Sequence, residues 1–376
     1  MPLNAVGIIF SNPGNKIISR LTYDRTISAI PYACRYRLID FALSNMVNSD
    51  ISNVNVIASY NYRSLVEHIG SGKDWDLARR TGGINIISPF QATNSDGARS
   101  FRSHIESLIS IREYIYEFKE EFVVLTDSNC VLNIDLADVI KKHASSNAKI
   151  TFVTALITPD HTSKTPVMLI SSNSGKITDI SLGTTYNQKN PELALNIFVL
   201  RTSELKRMIE EAIAYSKKSF TEMLIEGLKR SDYQSYCFNG YFAHITSFLD
   251  YYKHSILLAK NCDARIQLLS NPVRPIYTRV HNSFPTFYSK SGRAKNSIIA
   301  DECEIEGEVI NSVIFRGVHV GKGSRIVDSV IFHGSYIDKN TSLSYVVCDK
   351  NVNVSRDTDL KGTASLPIYI EKNRRV

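Results

Sequence analysis

The sequence predicts an α/β chain with a mixed, mainly parallel sheet, followed by a left-handed parallel β-helix of hexapeptide repeats. Three observations carry this. From Ala5 to about Lys260, short β-branched apolar runs alternate with helical patterns, as in a sheet covered by helices on both faces. After that, helical periodicity disappears and four similar tetrads recur, Asn296-Ser297-Ile298-Ile299, Asn311-Ser312-Val313-Ile314, Asp328-Ser329-Val330-Ile331 and Leu343-Ser344-Tyr345-Val346. Within this stretch apolar residues fall six apart, at Ile314, Val320 and Ile326, then at Ile331, Ile337 and Leu343, the spacing of a coil made of three short strands.

The elements follow in order. Ala5–Phe10 is an apolar run closed by Ser-Asn-Pro-Gly, a strand entering a turn. Residues 53–59 are β-branched, and 62–69 read as a helix. Phe122–Leu125 is a compact buried strand; Asp135 opens a helix that runs through His143; 149–157 and 196–200 are further strands. A helix from about Ser203 puts Leu205, Met208, Ile209 and Ala212 on one face. Sheets of this kind place ligands beyond the carboxyl ends of their strands. In the second half, Ser297, Ser312, Ser329 and Ser344 stand 15, 17 and 15 residues apart, and Gly317, Gly321, Gly323, Gly334 and Asn340 punctuate the corners. One coil cannot bury its apolar face alone, so stacking makes the core. Phe315, Phe332, Tyr336 and Tyr345 exceed the inward stripe, and some are expected at a subunit interface. An antiparallel β domain explains the short strands but not the coincidence of repeat length and sixfold spacing. The expected division is 1–265, a linker 266–290 containing the proline-bearing stretch Asn271–Pro285, and 291–376.

Hydrophobic residues make up 43% of the 376 and charged residues 22%, which excludes a disordered or collagen-like chain. The start has no basic region before an apolar one, and no segment approaches the ~20 apolar residues of a membrane span. Six cysteines (34, 130, 237, 262, 303, 348) form no CxxC pair, so neither a disulfide framework nor a zinc site is expected, and the compartment reads as reducing cytoplasm. The net charge of +7 suits anionic small ligands. No basic run longer than two residues calls for nucleic acid.

The stretch Arg35-Tyr36-Arg37-Leu38-Ile39-Asp40-Phe41-Ala42-Leu43-Ser44-Asn45, followed by Asn48-Ser49, resembles the GGKYRLIDF…LSN…NSG motif of the bacterial ADP-glucose pyrophosphorylases (glucose-1-phosphate adenylyltransferases). Leu65-Val66-Glu67-His68-Ile69 with Trp75-Asp76 resembles the family's next segment, and Pro275-Ile276-Tyr277-Thr278 its linker to the β-helix. The resemblance covers nearly the whole chain. It implies a Rossmann-like nucleotidyltransferase domain in which a sugar phosphate attacks the α-phosphate of ATP, with a β-helix serving subunit contacts and regulation. Such catalysis is mostly positioning and neutralisation of phosphate charge. It requires a glycine loop, cations near the leaving group, and carboxylates for Mg²⁺, an oxygen-seeking ion.

Against that pattern the chain departs repeatedly. The family's phosphate loop GGxGTR aligns with Asn12-Pro13-Gly14-Asn15-Lys16-Ile17: Pro13 removes a backbone donor and the arginine has become Ile17. Lys16 and Arg20 could supply charge without the same fork geometry. The family's RAKPA reads Arg25-Thr26-Ile27-Ser28-Ala29, with Ile27 in place of lysine, and RGTADA reads Arg102-Ser103-His104-Ile105-Glu106-Ser107. Ser103 and Glu106 make a capping box opening a helix; His104 and Glu106 as an acid/base pair is the alternative. Asp127, at the end of its strand, matches the family's metal-binding aspartate, or else caps the turn with Ser128 and Asn129. The second metal aspartate is replaced by Ser219, with Glu222 three residues on. The sugar-phosphate lysine expected near Ile180–Gly183 is missing, and His244 stands for a further aspartate, a position where a packed or solvated histidine is the simpler reading. Each lost preorganised group removes about 2–4 kcal/mol of transition-state stabilisation, though not additively.

The pattern resembles the GlgD-type companion subunit of the family. That resemblance implies a catalytically weak or inactive regulatory subunit in glycogen synthesis, with Asp127 vestigial. It would assemble with the catalytic ADP-glucose pyrophosphorylase subunit as a homo- or hetero-oligomer, a tetramer by family resemblance. No cofactor is expected for this chain; Mg²⁺ would belong to the catalytic partner. Arg35 takes the place of a lysine associated in the family with phosphorylated activators, and Arg37 follows two positions on, so both could face one phosphate if the segment is extended; a solvated basic edge is the alternative. Three other functions are open. One is a working adenylyltransferase with a remodelled site using Asp127, Glu222, Lys16 and Arg20. Another is a hexapeptide acyltransferase using His319 or His333. The last is a plain scaffold.

Overall fold

The structure, a computed structural model, describes residues 4–12, 18–88, 103–157, 165–184 and 191–376. Its first part is built on a nine-stranded sheet in the order Gly83–Ile87, Asn53–Ile57, Ala5–Phe10, Phe122–Asp127, Glu192–Arg201, Ile150–Leu156, Tyr233–Cys237, Lys176–Gly183, Val167–Asn173. The first four strands run parallel. Glu192–Arg201 is antiparallel to both its neighbours, and the far side continues as a mixed sheet. Period-two alternation gives the central strands two dry faces: Val6, Ile8 and Phe10 join one layer with Leu125 and Leu205, while Ala5 and Ile9 join the other with Val124 and Val139.

The helices form where the pattern places them. Asp135 accepts hydrogen bonds from the backbone N–H groups of Ala137 (2.9 Å) and Asp138 (3.3 Å), and so caps the helix Leu136–Ala144. Thr202–Ala214 buries Leu205, Met208, Ile209 and Ala212. The expected helix at 62–69 is Arg63–Ile69.

From Phe287 onward the chain winds into three parallel five-stranded sheets, a left-handed β-helix. Ile314, Val320, Ile326, Ile331, Ile337 and Leu343 all point into its dry core. The recurring serines have a physical reason. Ser297, Ser312 and Ser329 each donate to the carbonyl two residues back (2.7–2.8 Å), and each accepts the backbone N–H of the next coil, at Ser312, Ser329 and Val346 (3.1 Å each). The fourth tetrad needs correction. Val330 and Ile331 register with Val347 and Cys348, and Ser344 with Val327, so the fourth repeat is Tyr345-Val346-Val347-Cys348 and its serine position holds Val346. Asn296, Asn311, Asp328 and Tyr345, which open the four repeats, all have φ near +50° (47, 50, 47 and 57°), a corner that asparagine tolerates and tyrosine enters at a cost.

A third apolar layer joins the two parts. The helix Phe248–Lys260 lays Tyr251, Tyr252 and Ile256 against Val313, Phe315, Val330, Phe332 and Val347. Tyr252 donates to the Asp328 carbonyl at 2.7 Å, and Lys260 pairs with the Asp328 carboxylate at 2.5 Å. Phe315 and Phe332, expected partly at a subunit interface, are instead buried inside the chain, because one β-helix face is the floor on which this helix rests. Tyr345 packs half-buried in the same layer. Tyr336 is exposed and stacks on His319, ring centroids 4.5 Å apart.

Candidate functional site

The long motif at 35–49 folds as a turn, a short strand and a helix whose polar residues are mostly structural. Ala33 and Cys34 take φ of 47° and 64° between the paired strands Pro31–Tyr32 and Tyr36–Arg37. Asp40, fully buried in the helix Leu38–Val47, accepts from the Arg37 backbone N–H (3.0 Å) and lies 2.6 Å from His68 Nε2. His68 in turn stands edge-on to Trp75, so the two family segments meet around one carboxylate. Ser44 Oγ accepts from the Tyr277 N–H (2.8 Å), and Asn48 Nδ2 donates to the Pro275 carbonyl (2.9 Å). The motif therefore pins the segment that leads to the β-helix.

At the carboxyl edge of the parallel strands, Phe10 and Asp127 are register partners. Residues 13–17, with Lys16, and Arg102 lie outside the described residues. Asn12 Nδ2 donates to the Tyr60 carbonyl (3.1 Å). Ser28 contacts Ser128 Oγ (2.5 Å) and donates to the Ser11 carbonyl (3.1 Å), tying the 25–29 segment to this edge. Ile27, at the family's lysine position, is packed in the apolar layer. Arg25 is buried and meets the buried Asp349 of the β-helix at 2.8 Å, a carboxylate that also accepts from Tyr369 (2.5 Å). Lys176, at the start of the strand Lys176–Gly183, pairs with Asp232 at 2.7 Å. His244 lies in the short strand Phe242–His244, its backbone paired with Cys130.

Asp127 is buried, and its Oδ1 lies 2.6 Å from His104 Nε2. Ser128 and Asn129 bond elsewhere, to the Phe10 and Ile245 carbonyls. Ser103 Oγ accepts from the Glu106 N–H (3.2 Å), so this segment does cap a helix, His104–Ser110, and that cap turns the imidazole toward Asp127. Ser219 Oγ likewise accepts from the Glu222 N–H (3.2 Å) and caps Phe220–Leu228, leaving Glu222 exposed. These residues do not fit Mg²⁺. The ion asks for several oxygen ligands at 2.0–2.1 Å, whereas Asp127 is bonded to an imidazole, its expected partner is a capping serine, and among the described residues no group of three His, Cys, Asp or Glu side chains could hold a metal.

Arg35 and Arg37 line a different place, a cleft of about 760 Å³ between the two parts of the chain. Arg63, Arg279, Arg316, Lys350 and Lys372 also line it, against the carboxylates Asp24, Glu67 and Glu302. Arg37 is half-buried and donates to the Ser64 carbonyl (2.5 Å) and Oγ (2.9 Å); burial lowers its pKa to about 10. Arg35 is exposed beside the Tyr36 ring. Burial first, then Arg37 and Arg25, pushes the Lys350 amine down to about 7. The cleft thus gathers seven arginine and lysine side chains against three carboxylates.

Residues 16–180 match the nucleotidyl transferase family, and 284–362 the GlmU-like C-terminal hexapeptide family. Over 371 residues, 98% of this chain and 95% of the relative, the sequence is 35% identical to the "Glycogen biosynthesis protein GlgD" of Bacillus subtilis. The chain belongs to the GlgD family. A second GlgD, from Geobacillus stearothermophilus, is 31% identical over 85% of this chain and 82% of its own length. The "Glucose-1-phosphate adenylyltransferase" of Acetivibrio thermocellus is 28% identical over 92% and 81%. In this GlgD-family chain the hexapeptide match contributes Arg316, His333 and Lys350 to the cleft, and Arg279 comes from the segment before it. Sequence reading missed Arg279, Arg316 and Lys350 and singled out His333 only as an acyltransferase candidate; it also missed the contacts of His104 with Asp127 and of Arg25 with Asp349. None carries a local signal, since each depends on a partner distant in sequence.

Proposed function

We propose that this chain is a catalytically weak or inactive regulatory subunit of ADP-glucose pyrophosphorylase, acting in cytoplasmic glycogen synthesis. It assembles with, and activates, the catalytic subunit that makes ADP-glucose from ATP and glucose 1-phosphate, in a hetero-oligomer of the family's tetrameric type. Mg²⁺ serves that partner. The cleft takes a phosphorylated sugar effector, with Arg35 and Arg37 among its phosphate ligands. One contrast supports this reading: the phosphate-transfer edge has its aspartate tied to a histidine and a lysine position filled by buried Ile27, while the interdomain cleft keeps a surplus of cations.

Co-expression with a catalytic subunit tests it. The mixed assembly should co-purify, turn over faster than the catalytic subunit alone and respond differently to sugar phosphates. Arg35→Ala with Arg37→Ala should weaken the effector response about tenfold or more, as loss of charge-assisted hydrogen bonds does, while leaving assembly intact. Robust pyrophosphate release by this chain alone, abolished by Asp127→Asn, would instead establish a remodelled adenylyltransferase.

A further inference from the structure

We propose that His104 takes the place of the divalent cation at Asp127, so that this chain keeps the carboxylate but excludes the metal. The carboxyl group is not idle: a buried Asp127 side chain needs a hydrogen-bonding partner, and the chain supplies one from its own helix. Ser103 fixes the first turn of His104–Ser110. Phe10 stands edge-on to the imidazole, ring centroids 4.5 Å apart and planes at 83°, and Phe220 lies 5.9 Å away. Between these rings the imidazole has little freedom, and Nε2 lies 2.6 Å from Oδ1. A metal bound at about 2.1 Å along the Oδ1 lone pair that faces Nε2 would collide with the ring nitrogen. The family resemblance puts the second metal carboxylate at the position of Ser219, next to the Phe220 that packs on His104, and its hydroxyl is engaged in capping. Asp127 thus has a resident partner in His104, and a serine stands where the resemblance expects the second acid.

The inference rests on the family assignment and on the reading of weak catalysis, not on assembly with a partner. Its failure would leave the effector response of a mixed complex unaffected, so the two proposals fail separately.

Mn²⁺ is the probe. Aspartate caps a helix about as well as serine, so His104→Ala combined with Ser219→Asp opens the first position and fills the second without removing the cap. In the wild-type chain, millimolar Mn²⁺ should leave the thermal midpoint unchanged, should give the same bound-Mn²⁺ electron paramagnetic resonance signal as Asp127→Asn, and should not broaden the His104 imidazole resonance. The double variant should start less stable, because Asp127 has lost its partner, take up about one Mn²⁺ per chain, and regain stability with Mn²⁺ as a ligand of the folded state does. Adding Asp127→Asn should abolish the uptake. Wild-type Mn²⁺ binding that Asp127→Asn removes, or broadening of the His104 resonance, would overturn the proposal. So would a double variant of native circular dichroism that takes up no Mn²⁺. Should that variant fail to fold, the wild-type imidazole resonance decides alone.

Discussion

Arg25 and Asp349 are 324 positions apart in sequence and 2.8 Å apart in space, both buried. Truncating one partner of such a pair leaves a buried charge without compensation and typically costs about 3–5 kcal/mol. Arg25→Met should lower the unfolding free energy by that order in urea titration, and Arg25→Met with Asp349→Asn should recover part of the loss. Tyr369 remains to hydrogen-bond the new amide. At this scale the sequence shows residue types and strand ends but not partners. Asp127 was legible at the edge of its strand, because an apolar run ended there. Its bond to His104 was not, since the capping signal at Ser103 explains the helix and says nothing of where the next side chain points. Arg35 and Arg37 were legible as a candidate anion site. Of the cations that share the cleft with them, Arg316, Lys350 and Lys372 come from the β-helix part and Arg279 from the segment leading to it, where an isolated cation reads as ordinary surface.

The serine ladder is the clearest device at the level of elements. Ser312 Oγ donates to the Ile310 carbonyl and accepts from the Ser329 N–H, bridging two coils where no strand pairing reaches. Ser312→Ala leaves that buried N–H without an acceptor and should cost about 1–3 kcal/mol, read as a lowered denaturation midpoint; Ser312→Thr, which keeps the hydroxyl, should recover most of it. The repeat was readable because a coil imposes one chemistry at one spacing. The fourth repeat was read two residues early, because Ser344 imitated the ladder while the true position holds Val346. Helices with one buried face, such as Thr202–Ala214, were equally plain. Phe248–Lys260 was not: its buried Tyr251, Tyr252, Ser255, Ile256, Leu258 and Ala259 do share one face, but polar Ser255 sits within that face and apolar Leu257 stands exposed outside it, which blurs the period in the sequence. The strands Val167–Asn173 and Lys176–Gly183 escaped for the opposite reason, with polar, partly exposed ends joined at Ser174-Gly175.

Across the whole molecule, charge couples the cleft to pH. The Lys350 amine, at about 7 instead of its usual 10.5, is charged below pH 7 and neutral above it. Burial first, then Arg37, Arg25 and lastly Lys372 hold it down, and Asp349 opposes them. If the cleft takes a phosphorylated effector, binding should be tightest below pH 7, should weaken by about tenfold as pH rises through 7 to 8, and should be accompanied by proton uptake, measurable by calorimetry in buffers of different ionisation enthalpy. Lys350→Gln should remove that pH dependence while Arg35 and Arg37 still bind. Stability follows the same logic in another window. Burial first, then the charge of Arg201, holds His143 near 4, so between pH 6.5 and 4 the unfolded chain takes up a proton that the folded chain refuses, and the thermal midpoint should fall as pH falls. His143→Gln should make that fall shallower.

The bridge between Arg25 and Asp349 also has a meaning in time. A ribosome adding about 5–20 residues per second releases the arginine roughly 15–65 s before the aspartate that answers it. Throughout that interval the nascent chain carries an unanswered cation, joined once residue 260 is made by the bare aromatic flank of Phe248–Lys260, so both find their partners only with the later coils.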